Sequence, residues 1–218
     1  RVGLPKDTLL TVVNEGPVVG NVLLHDERIK AVIFTGSTQT GTFISQELAK
    51  RHTEQVPLIA ETGGQNCMIV DSTALPEQVV DDVIASGFQS AGQRCSALRV
   101  LFIQDDIADT IITMLKGALA ELRIGDPAFL STDVGPVIDQ KALSTLNKHV
   151  EDMQDKATLL YSSDIPDDCQ DGFYFAPKLY EIDNIGVLSK EVFGPCVHIV
   201  RYKEKHLSRV IDDINSTG

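Results

Sequence analysis

The sequence predicts an α/β protein. Three observations carry that reading: apolar runs of strand length recur along the chain, segments of helical period stand between them, and Gly or Pro marks several of the joints. Such alternation is the pattern of a mostly parallel sheet with crossover helices.

Each element follows from its own residues. "KAVIFTG" (30–36) is a candidate buried strand, and "STQTGTFISQELAKR" reads as a helix capped by Ser37 or Thr38, with Phe43, Ile44 and Leu48 on one face. "PLIAETGG" and "NCMIVD" supply two short strands around a glycine pair. Pro76 suits the first turn of a helix over "PEQVVDDVIASGFQSA", where its missing N–H does no harm. After the strand "RVLFIQ", a helix from Ile107 to Leu122 spaces Ile111, Ile112, Leu115, Leu119 and Leu122 along one face and stops at the turn "GDP". A further helix is expected over Gln140 to Lys156. The polar run "SSDIPDDCQDG" has little to bury and reads as a surface loop. "FYFAPKLYEI" and "PCVHIVRY" read as strands and "HLSRVIDDINS" as a closing helix.

At 218 residues and 43% apolar side chains, the chain can bury one large core or two modest ones. A formal charge of −12 argues against broad attraction to nucleic acid or an anionic membrane, and no apolar run is of bilayer length. An anionic ligand therefore needs a helix N-terminus or local positive charge. Cys67, Cys95, Cys169 and Cys196 form neither a CxxC nor a disulfide framework, which points to a reducing compartment. His25, His52, His149, His198 and His206 show no ligand-like pairing with them along the sequence, so no metal site is expected.

Four stretches carry chemistry. In "FTGSTQTG" a strand runs through Gly36 and Ser37 into a helix start near Gly41, so its first N–H groups and dipole can hold a pyrophosphate; an ordinary glycine turn with a cap reads the same. In "ETGG" an acid, Glu61, ends a strand beside two glycines, where burial would make it a general base toward water, and a solvated carboxylate is the plainer reading. In "QSAGQRCSALRV" Cys95 sits among small and polar residues, with Arg94 or Arg99 available to favour its thiolate, whereas Cys67, Cys169 and Cys196 read as small buried apolar residues. In "SKEVFGPCVHIVRY" Glu191 can accept ribose hydroxyls, or form an exposed ion pair of little weight.

In this order, "FTGST" with Gly41, "ETGG", "GQRC" and "KEVFGP" resemble four motifs of the aldehyde dehydrogenase superfamily. The runs "PLIAETGGQN", "MIVDSTALPEQVVDDV", "SAGQRCSALRV" and "DVGPVID" are similar to its L-glutamate γ-semialdehyde (1-pyrroline-5-carboxylate) dehydrogenase branch, above all to the dehydrogenase part of bifunctional bacterial proline utilization proteins. The resemblance implies NAD-dependent oxidation of that semialdehyde to L-glutamate, with Cys95 as nucleophile and Glu61 activating the hydrolytic water. It also implies that Gly36, Ser37 and Gly41 lie at the pyrophosphate, Glu191 at the nicotinamide ribose and Phe193 beside the nicotinamide, with Ser96 receiving the polar substrate. Residues 1–61 would then be part of a Rossmann-like cofactor domain and 62–218 most of an α/β catalytic domain, an internal piece of a larger cytoplasmic bacterial protein. That parent is expected to be a homo-oligomer with a fused flavin-dependent proline dehydrogenase. Another NAD(P)-dependent aldehyde dehydrogenase, a cysteine hydrolase pairing Cys95 with a histidine, and an inactive structural module are the alternatives.

Overall fold

The computed structural model describes residues 3, 5–51 and 55–217. Two compact units divide the chain, Arg1–Gly63 and Gly64–Gly218. His52 lies outside the described residues.

In the first unit, helix α1 (Gly16–Leu23) is followed by β1 (Val32–Thr35), α2 (Thr38–Ala49) and β2 (Leu58–Glu61). β1 and β2 pair in parallel, from Val32 opposite Leu58 to Thr35 opposite Glu61. Their core is small, with Leu24, Ile44 and Leu48 buried and Val32, Phe34, Val56 and Leu58 packed against them. Two expectations fail here. The strand expected to be buried is only half so, since Ile33 on its other face is 78% exposed. On α2 the buried stripe is Gly41, Ile44 and Leu48, while Phe43 lies off that stripe, largely exposed.

The second unit contains β3 (Cys67–Val70), α3 (Pro76–Gly87), β4 (Val100–Gln104), α4 (Asp105–Glu121), α5 (Gln140–Met153), β5 (Ala157–Ser162), β6 (Lys178–Ile182), β7 (Cys196–Tyr202) and α6 (Leu207–Asn215). Its sheet runs β3-β4-β7-β6-β5, parallel except for β5, which pairs antiparallel with β6. α3 ends at Gly87 and α5 at Met153, each short of the expected end, and only the second half of "FYFAPKLYEI" is a strand. α1 and β5 have no counterpart in the sequence reading.

Parity along the central strands fixes what lies on each face, because alternate side chains point to opposite sides. Leu101 and Ile103 of β4 and Val197 and Ile199 of β7 join Val79, Val80 and Val83 of α3 and Ile111, Leu115 and Leu119 of α4. Val100 and Phe102 of β4 and Cys196 and Val200 of β7 pack instead with Leu146 and Met153 of α5 and Val210 of α6. The unit is a three-layer helix–sheet–helix sandwich. Among the described residues no helix is long and apolar enough to cross a membrane.

Candidate active site

Cys95 stands on a turn rather than in the core. α3 ends at Gly87, and the chain then passes through three consecutive left-handed residues, Ser90 (φ 55°), Ala91 (φ 51°) and Gly92 (φ 62°). For Ser90 and Ala91 that conformation costs on the order of 1–2 kcal/mol each. Ala97 N–H closes the next turn on the Arg94 carbonyl, leaving Cys95 and Ser96 exposed at its corners while Ala97 is buried. Asn66 braces this turn: its side-chain amide donates to the carbonyls of Cys95 (2.7 Å) and Ala97 (2.9 Å), and its own carbonyl accepts from the N–H groups of Arg99 and Val100. Gln93 ties the other side, accepting from Ile138 N–H.

Arg99 joins this turn to the "KEVFGP" segment. Its side chain is fully buried, donating to the carbonyls of Gly92 (2.7 Å) and Arg94 (3.0 Å) and, from Nε and Nη2, to Glu191 Oε1 (3.1 and 2.8 Å). The guanidinium also lies 5.1 Å from the centre of the Phe193 ring, within cation–π range. Cys95, Glu191 and Phe193 therefore belong to one bonded assembly. The reading of Glu191 as an exposed ion pair of little weight does not hold, since its partner is the buried Arg99; both contacts end on Oε1, leaving Oε2 to accept elsewhere. Asn66 and the clamping role of Arg99 escaped the sequence reading. The signal was an arginine entering the strongly apolar run "VLFI", where a buried charge requires a partner. Arg94, the other cation considered, donates to the Ala85 carbonyl.

Gly92 makes the assembly possible. A Cβ there would run into the Gly194 carbonyl, and the backbone is left-handed. We expect Gly92→Ala to destabilise the fold by at least ~2 kcal/mol, read as a lower urea midpoint at unchanged slope.

The remaining sequence-selected residues lie in the first unit. Ser37 caps α2, its Oγ accepting from Thr40 N–H (3.2 Å), and Gly36 N–H donates to the Glu61 carbonyl (3.1 Å). The N–H groups of Thr38 and Gln39 in the first turn have no intrahelical acceptor. At Gly36 a Cβ would stand 2.5 Å from the Phe34 ring, and at Gly41 it would press on Thr62 at 3.1 Å. Glu61 is exposed at the end of β2, so the burial expected of its carboxyl is not found.

The other thiols behave as apolar residues. Burial pushes Cys67 up to about 11 and Cys196 up to about 12, and raises Cys169, which is buried even though it sits in the polar loop. The sequence reading that histidines and cysteines do not pair is corrected by the fold: His149, Cys196 and His198 gather with their ligating atoms within 4.8 Å of one another. Cys196 and His198 share a parity on β7, so both face α5, which carries His149. Burial pushes His198 down to about 3. Among the described residues the histidine that approaches a cysteine sulfur, His198, approaches Cys196 rather than Cys95.

Residues 1–218 match the aldehyde dehydrogenase family model. The chain is 47% identical over 226 residues to the bifunctional protein PutA of Escherichia coli (strain K12), covering all of this chain and 17% of that protein. It is 33% identical over 209 residues to the 1-pyrroline-5-carboxylate dehydrogenase of Geobacillus sp. (strain WCH70), covering 94% of this chain and 40% of that one. A crystal structure of bifunctional proline utilization A (PutA) matches with a TM-score of 0.93 at 48% identity, over 99% of this chain and 22% of the solved one. The chain thus spans less than half the length of each of these relatives. Because the family match runs from the first residue to the last and the same fold recurs in the solved relative, the chain belongs to the aldehyde dehydrogenase family.

Proposed function

We propose that the chain forms part of an NAD-dependent dehydrogenase oxidising L-glutamate γ-semialdehyde, the open form of 1-pyrroline-5-carboxylate, to L-glutamate in proline catabolism. The observation that carries the reading is the exposed Cys95 on a turn held from both sides by Asn66 and Arg99, with Glu191 and Phe193 bonded to the same arginine. The names of the relatives supply the substrate.

The chain's donors suit the cofactor. The open N–H groups of Thr38 and Gln39, behind the Ser37 cap and the close-packed Gly36 and Gly41, are a site for a pyrophosphate in a protein of net charge −12. Glu191, whose Oε2 is left open by Arg99, would accept from the nicotinamide ribose, and Phe193, against which Arg99 is placed, would flank the nicotinamide. NAD, when bound, supplies the acceptor for the hydride that leaves the substrate carbon. The Cys95 thiolate attacks the aldehyde carbon, forming the S–C bond as the C=O electron pair moves to oxygen, where the Cys95 N–H donates to it. Loss of hydride from that carbon leaves a thioester on Cys95. Glu61 then takes a proton from water, whose oxygen adds to the thioester carbon; the S–C bond breaks and the acid departs. Ser96, exposed beside the nucleophile, receives the amino-acid end of the substrate.

The same proposal includes a cytoplasmic bacterial parent, in keeping with four free cysteines, that assembles as a homo-oligomer and carries a flavin-dependent proline dehydrogenase. Glu61→Gln tests the assignment: one equivalent of reduced cofactor appears in a burst, after which turnover is at least ~10²-fold slower than in the wild type. Steady turnover at the wild-type rate with no burst contradicts it.

A further inference from the structure

On the face of the sheet covered by α5, three side chains with ligating atoms converge without an evident role in the chemistry above. His149 Nε2 lies 2.9 Å from His198 Nε2, and Cys196 Sγ lies 3.8 Å from that same nitrogen. The orientation of His198 is fixed on two sides. Its Nδ1 lies 3.2 Å from the Arg99 carbonyl, which can only accept, so the ring proton is on Nδ1 and Nε2 carries a lone pair. Tyr180, opposite it on β6, stacks on the ring at 5.8 Å and an interplanar angle of 13°. A carbonyl on the far nitrogen of a histidine is the support that metal-binding imidazoles ordinarily have.

The geometry points to a metal site here: His149 Nε2, His198 Nε2 and Cys196 Sγ as three protein ligands for a divalent, borderline-soft cation of the zinc class, with a fourth position for water or an incoming ligand. Tetrahedral zinc with ordinary bond lengths sets N···N at about 3.4 Å and N···S at about 3.6 Å. The N···S distance of 3.8 Å is already close to that. The three ligating atoms lie within 4.8 Å of one another, so the His149 ring must both open its 2.9 Å approach to His198 and close on Cys196, a swing that a half-buried side chain on a helix surface permits. Binding replaces the thiol proton of Cys196, which leaves to solvent, and moves the His149 ring proton to Nδ1. His149 also lines a surface cleft with Thr145, Lys148, Asp152, Lys190 and Glu191, which puts this one ligand within reach of solvent. The two ligands on β7 and one on α5 make the ion a tie between sheet and helix.

The test is cobalt(II) titration of the 218-residue chain with Cys95→Ser, which removes the exposed thiol. One equivalent is expected to bind with a thiolate-to-cobalt charge-transfer band, displaced by zinc, and the thermal midpoint should rise with zinc. Cys196→Val, of matching size on a buried strand, should abolish the band, and His149→Gln should weaken binding at least 10-fold. Should Cys196→Val fail to fold, His149→Gln decides, because its side chain is half-buried. No stoichiometric band in the Cys95→Ser chain, an unchanged band in Cys196→Val, or an unchanged cobalt affinity in His149→Gln overturns the assignment.

Discussion

The Cys95→Ala variant is expected to lose ~10⁴- to 10⁶-fold in kcat for aldehyde oxidation, the range seen when a covalent nucleophile is removed. Affinity for NAD should stay within about 3-fold of the wild type, because the cofactor contacts proposed here are backbone N–H donors of α2 and the accepting carboxylate of Glu191, none of which involves the Cys95 side chain. The fold should be unaffected. Cys95 is exposed at the corner of a turn whose bonds run through its carbonyl, not its sulfur, and surface substitutions of that kind stay within about 0.5 kcal/mol. A large fall in thermal midpoint would show that the residue is structural and would remove the basis for calling it the nucleophile.

The second large effect concerns stability and site geometry together. Arg99→Met keeps most of the buried volume but strips donors from the Gly92 and Arg94 carbonyls and leaves Glu191 without its cation. Breaking a buried pair from one side costs about 3–5 kcal/mol, which for a chain of this size lowers the thermal midpoint by about 10 °C. Adding Glu191→Gln to the Arg99→Met chain should recover part of that loss, because the orphaned charge is then gone. The single variant should also raise the KM for NAD while calorimetry still shows a cooperative transition. Additive losses in the double variant would mean that Arg99 works through its carbonyl contacts alone.

The central sheet was legible because its strands follow simple rules. β4 and β7 are buried and mostly apolar on both faces, as strands covered by helices tend to be, and α4 repeats Ile111, Leu115 and Leu119 at helical spacing. β5 was not legible: it is an edge strand, half-buried with a bulge near Leu159, and its alternation is too weak to separate it from the loop that follows. Phe43 failed for a related reason, since in a small unit whose described residues include only three buried apolar side chains a large apolar residue need not be inside. The thiol turn and the four motifs could be read because glycine, cysteine and acid stand at fixed offsets. What holds them could not, because Asn66 and Arg99 act from 29 and 92 residues away in sequence, on Cys95 and Glu191 respectively. The cluster of His149, Cys196 and His198 was half legible. Its strand pair follows from parity, but His149 arrives from a helix whose facing only the fold reveals.

Acid quenching of the Glu61→Gln enzyme after mixing with NAD and L-glutamate γ-semialdehyde, followed by peptide mass spectrometry, tests the covalent role of Cys95 most directly. The peptide containing Cys95 should carry one acyl group, in amounts matching the burst of reduced cofactor. An acyl group on Ser96, Cys67, Cys169 or Cys196, or a full burst with no adduct at all, would contradict it.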